Sequence, residues 1–170
     1  MLKRIRDEAE MYAPVGRWLH ALLQAKHPKW KVETANTSGV ALYRWLEQTD
    51  YTRFFPEYLG YDIRVDVTGI AIKGKIACVA FVECKKNALS LGDISQLLGY
   101  CRVAQPEFAF AISPEGIGTH VSYLLQTYGR YDVLEYNAKN RIMVGRWNAD
   151  RGEIDADSFL PPGEFVLKSD

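Results

Sequence analysis

The most constraining feature of this chain is a pair of apolar runs joined by Lys73-Gly74-Lys75. Residues 61–72 alternate, with Ile63, Val65 and Val67 on one side and Asp62, Arg64 and Asp66 on the other, as in a strand with one polar face. Residues 76–83 are almost continuously apolar, as in a strand covered on both faces. Two such runs across a tight glycine turn predict an antiparallel hairpin. Everything else in the chain has to pack around it.

On the N-terminal side, Ile5, Ala9, Tyr12, Val15, Leu19, Leu22 and Leu23 recur at helical spacing. Pro14 interrupts them, which predicts a kink or two helices meeting there. A short strand is expected at 31–35 and a short helix at 40–48. Beyond the hairpin, the pattern gives a helix over 92–103 with Asp93 as cap, a strand over 107–112 and a helix over 114–126. Two strands at 131–136 and 141–147 follow, joined by a turn at 137–140. Strands interspersed with helices imply an α/β fold, a mixed sheet with helices packed on its faces.

Of the 170 residues, 48% are hydrophobic, so one domain can bury a substantial core. The 21 basic and 21 acidic residues cancel, which excludes a strongly basic nucleic-acid coat but not a local basic face. Residues 150–170 hold six acids against Arg151 and Lys168, a net of −4 that leaves 1–149 at +4. A domain over 1–149 and an acidic tail over 150–170 are expected. The tail's Phe159-Leu160-Pro161-Pro162 and Phe165-Val166-Leu167 are too apolar for a free linker, so it should pack on the domain or at an interface. No apolar run approaches a membrane span, and no apolar segment follows the basic start. With three cysteines and no CxxC spacing, free thiols in a reducing cytoplasm are expected, without zinc. His20, His27 and His120 follow no ligand spacing and read as surface or packing residues.

The chemistry gathers where the second run leaves the core. In a strand, Glu83 and Lys85 share a face while Cys84 turns inward. Counting back around Gly74 sets Asp66 opposite 81 or 82, and a one-residue bulge at Gly69 would bring it across from Glu83. Two carboxylates and an ammonium then converge. A hard cation such as Mg²⁺ favours such oxygens, with Mn²⁺ as a substitute, and a neighbouring lysine can orient or deprotonate water. A lone ExK triplet carries little. Its place at the end of the most buried run, with an Asp on the partner strand, is what gives it weight.

Asp66-Val67-Thr68-Gly69, then Glu83-Cys84-Lys85, then Gln96, resemble the motif of the PD-(D/E)xK nuclease superfamily, the restriction-endonuclease-like fold. Residues 89–113 resemble that family's helix after the ExK strand and the strand that follows. Residues 8–15 resemble its first helix, which supplies a further acid in many members. The resemblance covers about residues 5–136, and Val65 stands where the nominal proline would be. It implies a mixed sheet flanked by helices on both faces, with Asp66 and Glu83 holding Mg²⁺. Lys85 would position the attacking water or stabilise charge on the phosphate, and Gln96 would reach the metal water or phosphate. Glu8 is the helix-borne acid and Glu10 its competitor. Two residues apart on a helix is ~200°, so only one can face the site, and Glu8 is favoured.

The function so implied is a Mg²⁺-dependent endonuclease acting on DNA, working as a homodimer because two strands need two sites. Lys86, Arg102, Arg130, Lys139, Arg141 and Arg146 are candidates for tracking the phosphate backbone. The rival is an inactive module of the same fold, binding nucleic acid or protein in a defence or repair assembly.

Overall fold

The computed structural model describes residues 4–163. Helix α1 (Ala9–Lys26) buries Met11, Val15, Leu19, Leu22 and Leu23, the apolar stripe read from the sequence. Pro14 lies inside it without dividing it. Its missing N–H forfeits one bond, to the Glu10 carbonyl, and little more than one turn of helix precedes it. The start is held by Asp7, whose carboxylate accepts from Ala9 N at 3.1 Å, and by Glu10, which accepts from the backbone of Arg6 and Asp7 at 3.2 Å.

Six strands follow: β1 (Lys31–Asn36), β2 (Val67–Lys73), β3 (Ile76–Cys84), β4 (Phe108–Ser113), β5 (Met143–Asn148) and β6 (Glu153–Ile154). They form one sheet in chain order, antiparallel at β1–β2, β2–β3 and β5–β6, parallel at β3–β4 and β4–β5. Helix α1 covers one face, over Val67, Ala80, Val82, Phe110 and Trp147. The other face, with Ile70, Val79, Phe81, Ala109 and Ala111, is covered by α2 (Leu42–Gln48), α3 (Leu91–Ala104) and α4 (Thr119–Ser122). The architecture is mixed α/β, with helices on both faces of a mixed sheet.

Four local differences from the sequence reading have physical causes. The strand expected from residue 61 pairs only from Val67. Tyr61, Ile63 and Val65 are buried and Asp62 and Arg64 exposed, as the alternation required. The carbonyls of Ile63 and Tyr61 instead receive the N–H groups of Leu42 and Tyr43, at 2.8 and 3.1 Å. Alternation reports burial, not partnership. Asp93 is not the cap of α3; Ser90 is, with Asp93 answering from the third position in a capping box. The helix expected from 114 begins at Thr119, because Leu89 N bonds Gly116 O and Gly118 N bonds Leu89 O, both at 2.9 Å, holding 116–118 as a loop. Residues 131–134 form a 3₁₀ turn rather than a strand; after it comes one isolated bridge, Glu135 to Arg141.

Residues 150–160 belong to the same sheet and core. β6 pairs with β5, Leu160 bridges Val144, and Ile154 and Phe159 are buried with Trp147. Residues 165–167 lie outside the described part.

Candidate active site at the end of the β2–β3 hairpin

The ladder between β2 and β3 runs from Lys73 opposite Ile76 to Val67 opposite Val82. One further step along this register sets Asp66 beside Glu83. No bulge is needed: the turn is the two residues Gly74-Lys75, with Gly74 at φ 61°, rather than a loop centred on Gly74. Gly69, expected to accommodate the bulge, serves packing instead. A Cβ there would meet Leu23 Cδ1 at 2.6 Å and Leu19 Cδ2 at 3.0 Å, so its absence lets α1 lie close on the sheet.

Asp66 continues the ladder with its side chain. Its Oδ2 accepts from Cys84 N at 2.8 Å, and the Tyr12 hydroxyl from α1 hydrogen-bonds the same carboxylate. Its backbone is braced by the loop after β1. Thr37 N donates to Asp66 O at 2.9 Å, Thr37 Oγ1 to Val65 O at 2.6 Å, and the Thr37 and Thr68 hydroxyls meet at 2.7 Å. Glu83 is only 3% exposed. Its Oε1 accepts from Lys85 Nζ at 2.8 Å, while its Oε2 is buried without a hydrogen-bond partner. Lys85 is fixed in turn by its backbone N–H on Ile112 O, at 2.9 Å. Just ahead of α1, Glu8 accepts from Lys86 N at 3.3 Å and interacts electrostatically with Asp66, Glu83 and Lys85.

Burial pushes the Glu83 carboxyl up to about 7, with the Asp66 charge adding to the effect and Lys85 opposing it. Burial also raises Asp66, against the Cys84 N–H and Lys85, which favour its ionised form. Burial would lower Lys85, but its bond to Glu83 and the surrounding carboxylates hold it above the ordinary lysine value. Tyr12 is raised by burial and by Asp66. With Glu83 ionised, three carboxylates face one ammonium, an excess of two negative charges that a divalent cation would balance. The partnerless Glu83 Oε2 supplies a buried oxygen for it to meet.

The helix phase turns Glu8, not Glu10, to these carboxylates; Glu10 is spent on the start of α1. Gln96 is exposed on α3 and donates to Tyr100 Oη at 2.8 Å, with no bond to Asp66, Glu83 or Lys85 among the described residues. Of the basic candidates, Lys86 alone adjoins the site. Arg102 is in the last turn of α3, and Lys139 is in the turn whose Asn137 bonds Gln105, both toward the opposite end of the sheet. Arg130 pairs with Asp132, Arg146 with Asp155, and Arg141 is half-buried beside Glu135.

The sequence reading missed Tyr12 and the Thr37–Thr68 brace. Tyr12 is four residues from Glu8 and so on the same helix face, a spacing that could have found it. It also read His27 as isolated, whereas His27 Nε2 lies 2.8 Å from Glu107 Oε2 and 3.7 Å from Cys78 Sγ. The three cysteines are free thiols. No helix among the described residues is long and apolar enough to cross a membrane. No known family matches this chain, and no curated protein or solved structure is significantly similar to it, so the functional reading rests on the site itself.

Proposed function

We propose that this chain is a metal-dependent endonuclease that hydrolyses DNA phosphodiester bonds. The observation that carries this reading is the approach of Asp66 to the buried Glu83 at the hairpin end, with Lys85 on Glu83 and Glu8 reaching in from just ahead of α1. Asp66, Glu83 and Glu8 would hold Mg²⁺, or Mn²⁺ in its place, since an all-oxygen set suits a hard cation. When bound, the ion supplies Lewis-acid charge at the scissile phosphate. Lys85 gives one N–H to Glu83 and keeps two for an attacking water or a phosphate oxygen. Held as an ammonium by Glu83, it donates and neutralises rather than removing a proton. The Thr37 loop and the Cys84 N–H fix Asp66, so the carboxylates are set before substrate arrives. Cutting both strands of a duplex takes two such sites, and we place two copies about a two-fold axis.

The inactive module is favoured by one observation: the basic side chains are dispersed, and Arg130 and Arg146 are neutralised by partners. Incubating plasmid and single-stranded DNA with Mg²⁺ or Mn²⁺ separates the two. Nicking that needs the metal and disappears in Asp66→Ala supports the nuclease. Retention of DNA without any nicking supports the module.

A further inference from the structure

At the opposite end of β3 from Glu83, three side chains from three elements converge. His27 caps the C-terminus of α1, Cys78 lies in β3, and Glu107 immediately precedes β4. Their donor atoms all lie within 4.8 Å of one another, with Nε2–Oε2 at 2.8 Å and Sγ–Nε2 at 3.7 Å. All three residues are half-buried. We propose that His27, Cys78 and Glu107 bind a zinc ion.

The geometry separates this from other uses of the same residues. In a thiol–imidazole–carboxylate relay, the thiol and the carboxylate sit on opposite ring nitrogens. Here both approach Nε2, and Cys78 also hydrogen-bonds Glu107, so the three groups contact one another directly instead of forming a relay through the ring. Ligands about 2.0–2.3 Å from zinc in a tetrahedral set are ~3.3–3.8 Å apart, so only small side-chain adjustments separate these positions from a bound set. A neutral imidazole, a thiolate and a carboxylate together balance a 2+ charge. The mixture of N, S and O suits zinc and not Mg²⁺, which favours oxygen alone.

The supports are in place. Trp30 stacks on the His27 ring with centroids 4.4 Å apart, and Glu107 is anchored by its N–H on Val79 O at 2.8 Å. A cleft of about 430 Å³ opens beside Cys78 and Glu107, lined also by Phe55, Gln105 and Asn140, and water would complete the set. On binding, the Cys78 S–H bond breaks and its proton leaves to solvent. A sulfur–zinc bond forms, and the imidazole keeps its hydrogen on Nδ1. The ion would tie the end of α1 to the sheet.

The test is a cobalt titration of chelator-treated full-length protein, followed by zinc competition. One equivalent of Co²⁺ should give a thiolate-to-cobalt charge-transfer band and the intense visible bands of a tetrahedral site, and Zn²⁺ should abolish both. Glu83→Gln should keep the band, which assigns it to this end of the sheet. Cys78→Ser should lose the band and bind Zn²⁺ more weakly by more than the ~10–100-fold that outer-sphere changes cost. Because Cys78 is partly in the core, His27→Gln, at the end of α1, gives the second variant and should also lose the band. The proposal is overturned if the wild-type protein shows no thiolate band with excess Co²⁺. It is equally overturned if the band survives in folded Cys78→Ser or in His27→Gln.

Discussion

Helix α1 and strand β3 furnish residues to both ends of the sheet, and the two ends hold opposite chemistries. At one end, Glu8 and Tyr12 of the α1 start meet Asp66, Glu83 and Lys85, an all-oxygen cluster with one ammonium. At the other, ~28 Å along the helix, His27 meets Cys78 and Glu107, a set of nitrogen, sulfur and oxygen. The faces differ as well. Glu83 shares its side of β3 with Val79 and Phe81, whereas Cys78 shares the α1 side with Ala80 and Val82. What distinguishes the ends is burial without compensation. Glu83 leaves one oxygen without a hydrogen-bond partner, while His27 and Glu107 satisfy each other directly. An excess of buried negative charge is costly in a protein whose only task is to be stable, and it is what a phosphodiesterase needs for a hard cation.

The largest expected effect separates the two roles within the oxygen-rich end. Lys85→Ala should lower DNA cleavage by about 10²–10³-fold, the scale of losing one group that stabilises developing charge. Its metal affinity should be unchanged or slightly better, since a cation beside the cation site is gone. Asp66→Ala should lose both cleavage and metal binding. Calorimetric Mn²⁺ titration beside a nicking assay reads the difference. Cleavage by Lys85→Ala at the wild-type rate would reduce Lys85 to a surface charge.

The next effect is on stability. Glu83 is raised to about 7 in the folded chain, well above an unfolded glutamate, so the folded state binds the extra proton between about pH 4.5 and 7. Its contribution is fully present below the unfolded value and is lost as pH rises through 7. In a chelator, wild-type protein should therefore lose stability relative to Glu83→Gln across that window, by on the order of 1–3 kcal/mol. Mg²⁺ should recover the loss in wild type and leave Glu83→Gln unmoved. Urea denaturation at several pH values checks both halves. Parallel curves for the two proteins would mean that Glu83 carries no unusual proton.

How much of this was legible depended on whether one element or several held the information. The pairing of Asp66 with Glu83 followed from the two runs around Gly74, although the turn length was misjudged and a bulge at Gly69 was invoked where the register needed none. Glu8 and Glu10 diverge at the helix start, as a ~200° separation leads one to expect, Glu8 toward Lys86 N and Glu10 back onto Arg6 and Asp7. His27, Cys78 and Glu107 come from a helix end, a strand and a loop, and no spacing rule within one element can join them. Residues 131–134 failed for a similar reason. Their apolar pattern records packing on the core, while their backbone forms a turn and gives the Leu134 carbonyl to Ile142 N, at 2.8 Å.

The brace behind Asp66 gives a smaller effect. Thr37→Val keeps the shape but leaves Val65 O and the Thr68 hydroxyl without their bonds to Thr37. The loss should be about 1–2 kcal/mol in urea denaturation. Cleavage should fall with it, because the Thr37 loop holds the Asp66 backbone. An equivalent loss of stability with undiminished cleavage would show that the brace serves the fold and not the site.

The smallest effect belongs to Tyr12, which touches Asp66 from α1 and is replaced by Phe with little change in packing. Its hydroxyl stabilises the ionised carboxylate, and so does Cys84 N–H, while burial works against both. Removing one of the two donors raises Asp66 further, and a higher pH is then needed to ionise it. In Tyr12→Phe the acid limb of the pH profile of kcat/KM should move to higher pH by less than about one unit. The plateau at alkaline pH should be close to that of wild type, because the ligand oxygens all remain. A limb that stays in place would show that the Cys84 N–H alone sets Asp66. A limb that moves to lower pH would mean that the phenol opposes ionisation, contrary to the hydrogen bond it makes.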